Sequence, residues 1–113
     1  MDKKVKQYQT ILSKLLNEYE KSWNNPREEV KVQAVCDYEG NHFQLMNIGW
    51  RGNEYLCYII FHFDIKDGKV WIQENRTDVL IGQELVERGI PKSDIVLGLQ
   101  PPEVRAELGY AVA

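Results

Sequence analysis

The residues best suited to chemistry in this 113-residue chain are its only two histidines, His42 and His62, with Asp64 two positions beyond the second. Imidazole nitrogens and a carboxylate are the donor set of a zinc-like divalent metal. In an extended strand residues two apart share a face, so His62 and Asp64 point the same way. If Arg51-Gly52-Asn53 forms a three-residue hairpin loop, the strands on either side pair so that His42 lies opposite His62 and completes the group. A slip of one residue would send His42 to the other face. The ordinary alternative is a pair of solvated or hydrogen-bonded histidines on a sheet surface, and neither a metal nor any other cofactor is the expectation.

A metal-dependent phosphodiesterase needs several carboxylates converging on the ion, usually with a lysine close by. Asp64, Asp67, Glu74 and Lys66 supply the residue types. They do not converge, because Asp67 falls in a turn while Glu74 and Lys66 are expected on opposite faces of a hairpin. Cys36 and Cys57 lack any short Cys-x-x-Cys spacing and are expected to be buried reduced thiols. There is no Gly-rich phosphate loop or nucleophile elbow. No catalytic residue is assigned, and the chain is expected not to be an enzyme.

Those side chains must be positioned by an α+β arrangement. From Asp2 to about Ser22, Val5, Tyr8, Leu12, Leu15 and Tyr19 recur at steps of three and four, the stripe of an amphipathic helix that Asp2 can cap and Asn24-Asn25-Pro26 stops. The period then changes to two. Strands are expected at about 30–36, 42–50, 54–66 and 69–76, forming an antiparallel four-stranded meander. Asp67-Gly68 suits a two-residue type I′ turn, which places Phe63 opposite Ile72 and Asp64 opposite Trp71, and extends to His62 opposite Gln73 and Ile60 opposite Asn75. Phe61, Phe63 and Ile65 then face the core, with Leu56, Tyr58 and Ile60 on the reverse side. The third strand, apolar on both sides, is expected at the centre.

A second helix of about three turns is expected after Thr77 or Asp78, with Gly89 at its end. Ile95-Val96-Leu97 reads as a short fifth strand or a buried connection, and the apolar tail from Pro101 to Ala113 as docked. The whole of 1–113 is expected to be one domain.

Large aromatics and arginine dominate protein interfaces. Trp50, Tyr58 and Trp71 on one sheet face, with Pro101, Pro102 and Arg105 along a stiff edge, are therefore the candidate partner-binding residues. Met46 and Ile48 extend the same surface. A second copy of the chain, in a homodimer or a higher homo-oligomer, is one candidate occupant, and cover by the C-terminal tail is the intramolecular alternative.

Fourteen Lys and Arg against 17 Asp and Glu leave a net charge of −3, which argues against autonomous binding to DNA. The lysines Lys3, Lys4, Lys6, Lys14 and Lys21 are interrupted by Glu18 and Glu20 and read as a solvated helix face. No apolar signal segment or membrane span is apparent, so the cytoplasm is the expected location.

Asp64-Ile65-Lys66-Asp67-Gly68-Lys69-Val70-Trp71-Ile72-Gln73 and Gly89-Ile90-Pro91-Lys92-Ser93-Asp94-Ile95-Val96-Leu97-Gly98, with Pro101-Pro102-Glu103-Val104-Arg105 and the ending Gly109-Tyr110-Ala111-Val112-Ala113, resemble the XisI family of excision controlling factors. The similarity runs nearly end to end. It implies a regulatory role in programmed excision of a DNA element that interrupts nitrogen-fixation genes in filamentous bacteria, alongside an XisH-like protein and a separate recombinase. It carries no catalytic residues, and members of the family also occur away from any such element. The resemblance and the acidic composition together point to a non-catalytic accessory protein acting on an XisH-like partner. The rival readings are an antitoxin-like inhibitor of a partner nuclease and the metal-dependent phosphodiesterase above.

Overall fold

A computed structural model describes residues 2–113. Helix α1 (Lys3–Trp23) begins where the Asp2 carboxylate accepts the Lys4 amide at 2.9 Å, and it leads into an antiparallel meander of β1 (Lys31–Asp37), β2 (His42–Arg51), β3 (Glu54–Lys66) and β4 (Lys69–Asn75). Helix α2 (Ile81–Glu87) follows, then the short strand β5 (Ile95–Leu97), a turn of helix α3 (Pro102–Arg105) and the tail. The sheet order is β1-β2-β3-β4-β5, with β5 parallel to β4, so Ile95–Leu97 is a strand rather than a buried connection, and β3 is central.

The core lies between one sheet face and α1. Phe43, Leu45, Phe61, Phe63, Val70, Ile72 and Ile95 are fully buried there against Leu12, Leu15 and Leu16 of the helix stripe. Ile81, Leu85 and Ile90 extend the same core beside α1. At the Asp67-Gly68 turn both residues adopt positive φ (54° and 75°), as a type I′ turn demands.

Two register shifts distinguish the sheet from its expected pairing. Arg51 pairs with Glu54, so the β2–β3 loop has two residues, Gly52 and Asn53, rather than three. A bulge then leaves Ile60 unpaired, with Met46 opposite Ile59 but Leu45 opposite Phe61. The extra residue inverts alternation along the first half of β3: Tyr58 pairs with Asn47 and packs against the core, and Leu56 pairs with Gly49 on that same side. Leu56 and Tyr58 are therefore on the helix side, not on the reverse face with Trp50. A second bulge at Gln73 puts His62 opposite Glu74 and Phe61 opposite Asn75, correcting the pairs His62–Gln73 and Ile60–Asn75. Glu74 thus shares the outer face with Lys66, whose ammonium lies over Trp71.

Helix α2 has seven residues, shorter than expected, and its N-cap is Leu80 with no side-chain bond. Thr77 Oγ1 instead accepts the Val79 amide at 3.0 Å and donates to Asn75 Oδ1 at 2.7 Å, organising the approach to the helix. Its C-terminus closes as a Schellman motif: the amides of Gly89 and Ile90 donate to the carbonyls of Val86 and Leu85, with Gly89 at φ 112°. Both cysteines are free, Cys36 half-buried and Cys57 exposed, so the burial expected of Cys57 does not hold. Among the described residues no helix is long and apolar enough to cross a membrane.

Gly49 carries the sharpest local constraint. Its φ is 141°, and a Cβ there would sit 2.7 Å from the Glu29 carbonyl oxygen and 2.8 Å from the Val30 Cα, both backbone atoms. Gly49→Ala is expected to lower unfolding free energy by about 1–3 kcal/mol from backbone strain, measured by urea denaturation.

Candidate functional site

The outer face of the sheet, away from α1, brings His42, His62 and Asp64 together. The Ile60 bulge restores the alternation that puts Phe43 and Phe61 inside, and thereby turns His42 and His62 outward. His42 faces Asp64 across the strands, rather than His62, whose partner is Gln44. The group assembles all the same: His42 Nδ1 lies 2.6 Å and His62 Nε2 2.7 Å from the same oxygen, Asp64 Oδ1. One ligand-capable atom from each residue lies within 4.8 Å of the others.

Two glutamines hold this group, and neither was singled out from the sequence. The Gln44 amide is 2.8 Å from His62 Nδ1, and Gln73 Nε2 donates to the second Asp64 oxygen at 3.3 Å. Gln44 was legible in principle, since it lies two residues from His42 on the same strand face. Gln73 reaches Asp64 from the bulged position of β4, which simple alternation does not reveal.

Hydrogen bonding to Asp64 raises the pKa of the exposed His42, with the charges of Asp64 and Asp37 adding to the effect. Partial burial pushes Asp64 upward, but the hydrogen bonds from His42, His62 and Gln73 outweigh it and hold the carboxyl below its usual range. The pair favours imidazolium with carboxylate. The other carboxylates weighed for phosphodiester chemistry stay apart: Asp67 occupies the turn, and Glu74 leans towards Arg76 at 4.0 Å.

Beside this group the C-terminal segment covers one corner of the face. The Arg105 guanidinium donates to the carbonyls of Leu97 (3.1 Å), Gln100 (3.0 Å), Val112 (3.2 Å) and Gly98 (3.4 Å), while its carbon lies 5.3 Å from the centre of the Trp71 ring. Lys66 lies over that ring as well, at 4.3 Å. Trp71 is thus half-buried between two cations, and its indole N–H is buried with no partner among the described residues. Ala111 docks on β5, its amide 2.9 Å from the Ile95 carbonyl. Pro101 and Pro102 stay exposed at the start of α3.

Beyond the corner the outer face is open. Met46–Ile59, Ile48–Cys57 and Trp50–Tyr55 are successive cross-strand pairs, and the Trp50 and Tyr55 rings, 53% and 54% exposed, lie 5.2 Å apart. Tyr55 and Cys57 join this patch through the shifted register. Tyr58 leaves it, with its hydroxyl accepting from the Asn47 amide at 3.0 Å on the helix side.

A helix-backed antiparallel sheet with one open face and a short parallel fifth strand defines a small α+β protein. The family model described as XisI protein matches residues 1–112, and the chain belongs to the XisI family. It is similar to the crystal structure of a XisI-like protein from Anabaena variabilis ATCC 29413, at 46% identity and a TM-score of 0.89, over 96% of this chain and 99% of that one. A second similar structure, the fdxN element excision controlling factor XisI from the same organism, gives 28% identity and a TM-score of 0.83, over 97% of this chain and 99% of the other. None of the curated proteins matches.

Two outcomes are expected. The His42–Asp64 contact stabilises the fold where both groups are charged: the contribution of His42 is full below its unfolded pKa and lost as pH rises through its raised folded value. That of Asp64 is present above its unfolded pKa and lost as pH falls through its lowered one. The melting-temperature deficit of Asp64→Asn should therefore be largest near pH ~5–6, between the ordinary carboxylate and histidine values, and smaller on either side. Arg105→Ala should release the tail, read as faster hydrogen exchange at the Ala111 amide, at a cost of about 1.5–3 kcal/mol.

Proposed function

We propose that this chain is a non-catalytic accessory protein that docks an XisH-like protein through the open outer face of its sheet, and that it controls DNA-element excision by way of that partner. The observation that carries this reading is the apolar patch in which the exposed Trp50 and Tyr55 adjoin the half-buried Met46, Ile48 and Ile59. An antiparallel sheet that shows water its outer face ordinarily alternates to polar residues there. Here two aromatic rings and three aliphatic side chains take those places, the composition of an interface centre.

The relative described as an excision controlling factor supports the biological setting. The net charge of −3 supports action through protein rather than by direct grip on the DNA backbone. Control of this kind requires the domain to bind two states of the partner unequally, because equal affinity shifts no equilibrium. Of the candidate contact residues, Trp50 lies in the patch and Pro101 and Pro102 are exposed at the far edge. Trp71 and Arg105 are engaged with each other, so their contribution to docking is indirect, through the shape of the corner. Tyr58 supports β2 from below.

Co-expression with the XisH-like protein, followed by size exclusion with light scattering, tests the reading. A joint peak is expected, and Trp50→Ala and Ile48→Lys should each weaken association by about 30-fold or more, the loss of a central anchor worth ~2 kcal/mol. Lys14→Glu, on the exposed side of α1, should leave association unchanged. Separate peaks would overturn the proposal, and a species of twice the chain mass without partner would assign the face to a second copy.

A further inference from the structure

We propose that His42, His62 and Asp64 form a binding site for a zinc-like divalent transition-metal ion, with water completing the coordination. Three independent features of the group lead there. The donor atoms already converge, within 4.8 Å of one another, although they come from two strands. Ligands of a tetrahedral zinc ion, bonded at ~2.0–2.2 Å, stand roughly 3.3 Å apart; the two nitrogen–oxygen separations of 2.6 and 2.7 Å need to open by less than an ångström to admit one. The ladder that carries them is the middle of the sheet, where backbone positions are fixed by pairing on both sides of β3.

The second feature is the support behind the donors. Metal-binding histidines generally give their other ring N–H to an oxygen, which fixes the ring and leaves the coordinating nitrogen its lone pair. Gln44 sits at His62 Nδ1, 2.8 Å away, and turning its amide over places Oε1 to accept Nδ1–H and frees Nε2 for the ion. Gln73 holds the Asp64 oxygen that the histidines leave free, directing the other one inward. An ion would displace the protons that link His42 and His62 to Asp64 Oδ1 and accept one lone pair from each of the three residues.

The third feature is access. His42 is exposed, and the group opens outward in a shallow depression bordered by Val35 and Asp37. Two nitrogens and one oxygen favour zinc, cobalt or nickel over calcium or magnesium, which prefer all-oxygen shells. Three protein ligands leave an open position, unlike a closed structural site. This inference does not depend on the docking proposal, since the group lies at the other end of β2 from Trp50.

The test uses the full chain stripped with EDTA and titrated with Co²⁺, then with Zn²⁺ in competition. One Co²⁺ per chain with visible d–d absorbance is expected, displaced by Zn²⁺. His42→Ala and His62→Ala should each abolish the spectrum, and Gln44→Leu should weaken binding about 10–100-fold while leaving the ligands intact. Circular dichroism confirms folding of each variant; the exposed His42→Ala gives the decisive reading if His62→Ala does not fold. Absence of d–d absorbance overturns the proposal. So does Co²⁺ bound equally by wild type and both histidine variants, which places the ion elsewhere, for example at Cys57.

Discussion

The structure depends on one bulged residue of the central strand, Ile60, which has no partner in β2. The two-residue turn at Gly52-Asn53 sets a register that, carried unbroken to the far end of β2, would face Phe43 with His62 and His42 with Phe63. One strand would then have to turn its phenylalanines to water and a histidine into the core. Burying a phenylalanine contributes about 1.5–3 kcal/mol, and Phe61 and Phe63 are both involved, so the bulge is the lower-energy solution. The same extra residue that seats the phenylalanines turns His42, His62 and Asp64 outward together. Core and candidate site are consequences of a single pairing choice.

Once the sheet has two faces, its cover is unequal. α1 takes the side with the phenylalanines, and a few polar ties fix how the later segments lie beside it. Tyr8 donates to Asp94, Tyr19 to Glu84, and Arg88 bridges Glu18 at 2.9 Å and Glu84 at 3.2 Å. Burial and the bond to each carboxylate push both tyrosines well above the ordinary phenol range, so they remain donors throughout the working pH range. With α2 drawn to the α1 side, the corner of the outer face at Trp71 is covered by Arg105 of α3, while Tyr110 of the tail turns to the core side beside Gly82 of α2.

That asymmetry leaves the outer face with two chemically distinct regions. At one end of β2 the apolar pairs around Trp50 form a surface suited to protein; at the other, histidines and a carboxylate are braced by glutamines. The sheet presents both regions on paired strands rather than on loops, so docking or ion binding would meet a surface whose backbone is already ordered.

The first helix, the four-stranded meander, the central position of β3, the type I′ turn at Asp67-Gly68 and the inward set Phe61, Phe63, Ile65 and Ile72 were legible in the sequence. These follow from local periodicity, turn chemistry and the count of apolar residues, which short stretches of chain express directly. The sequence also brought His42, His62 and Asp64 together, though through the wrong cross-strand partner. Tertiary structure alone decided the two bulges, and with them the turning of Tyr58 and Leu56 inward, the outward placement of Tyr55 and Cys57, and the reach of Gln73 to Asp64. It decided too that Arg105 clasps the tail and that the N-cap of α2 is Leu80 rather than Thr77 or Asp78. The physical reason is common to all of these: a bulge or a clasp is chosen by the energy of contacts between distant segments, and alternation along one strand looks the same whether or not its neighbour has slipped by a residue.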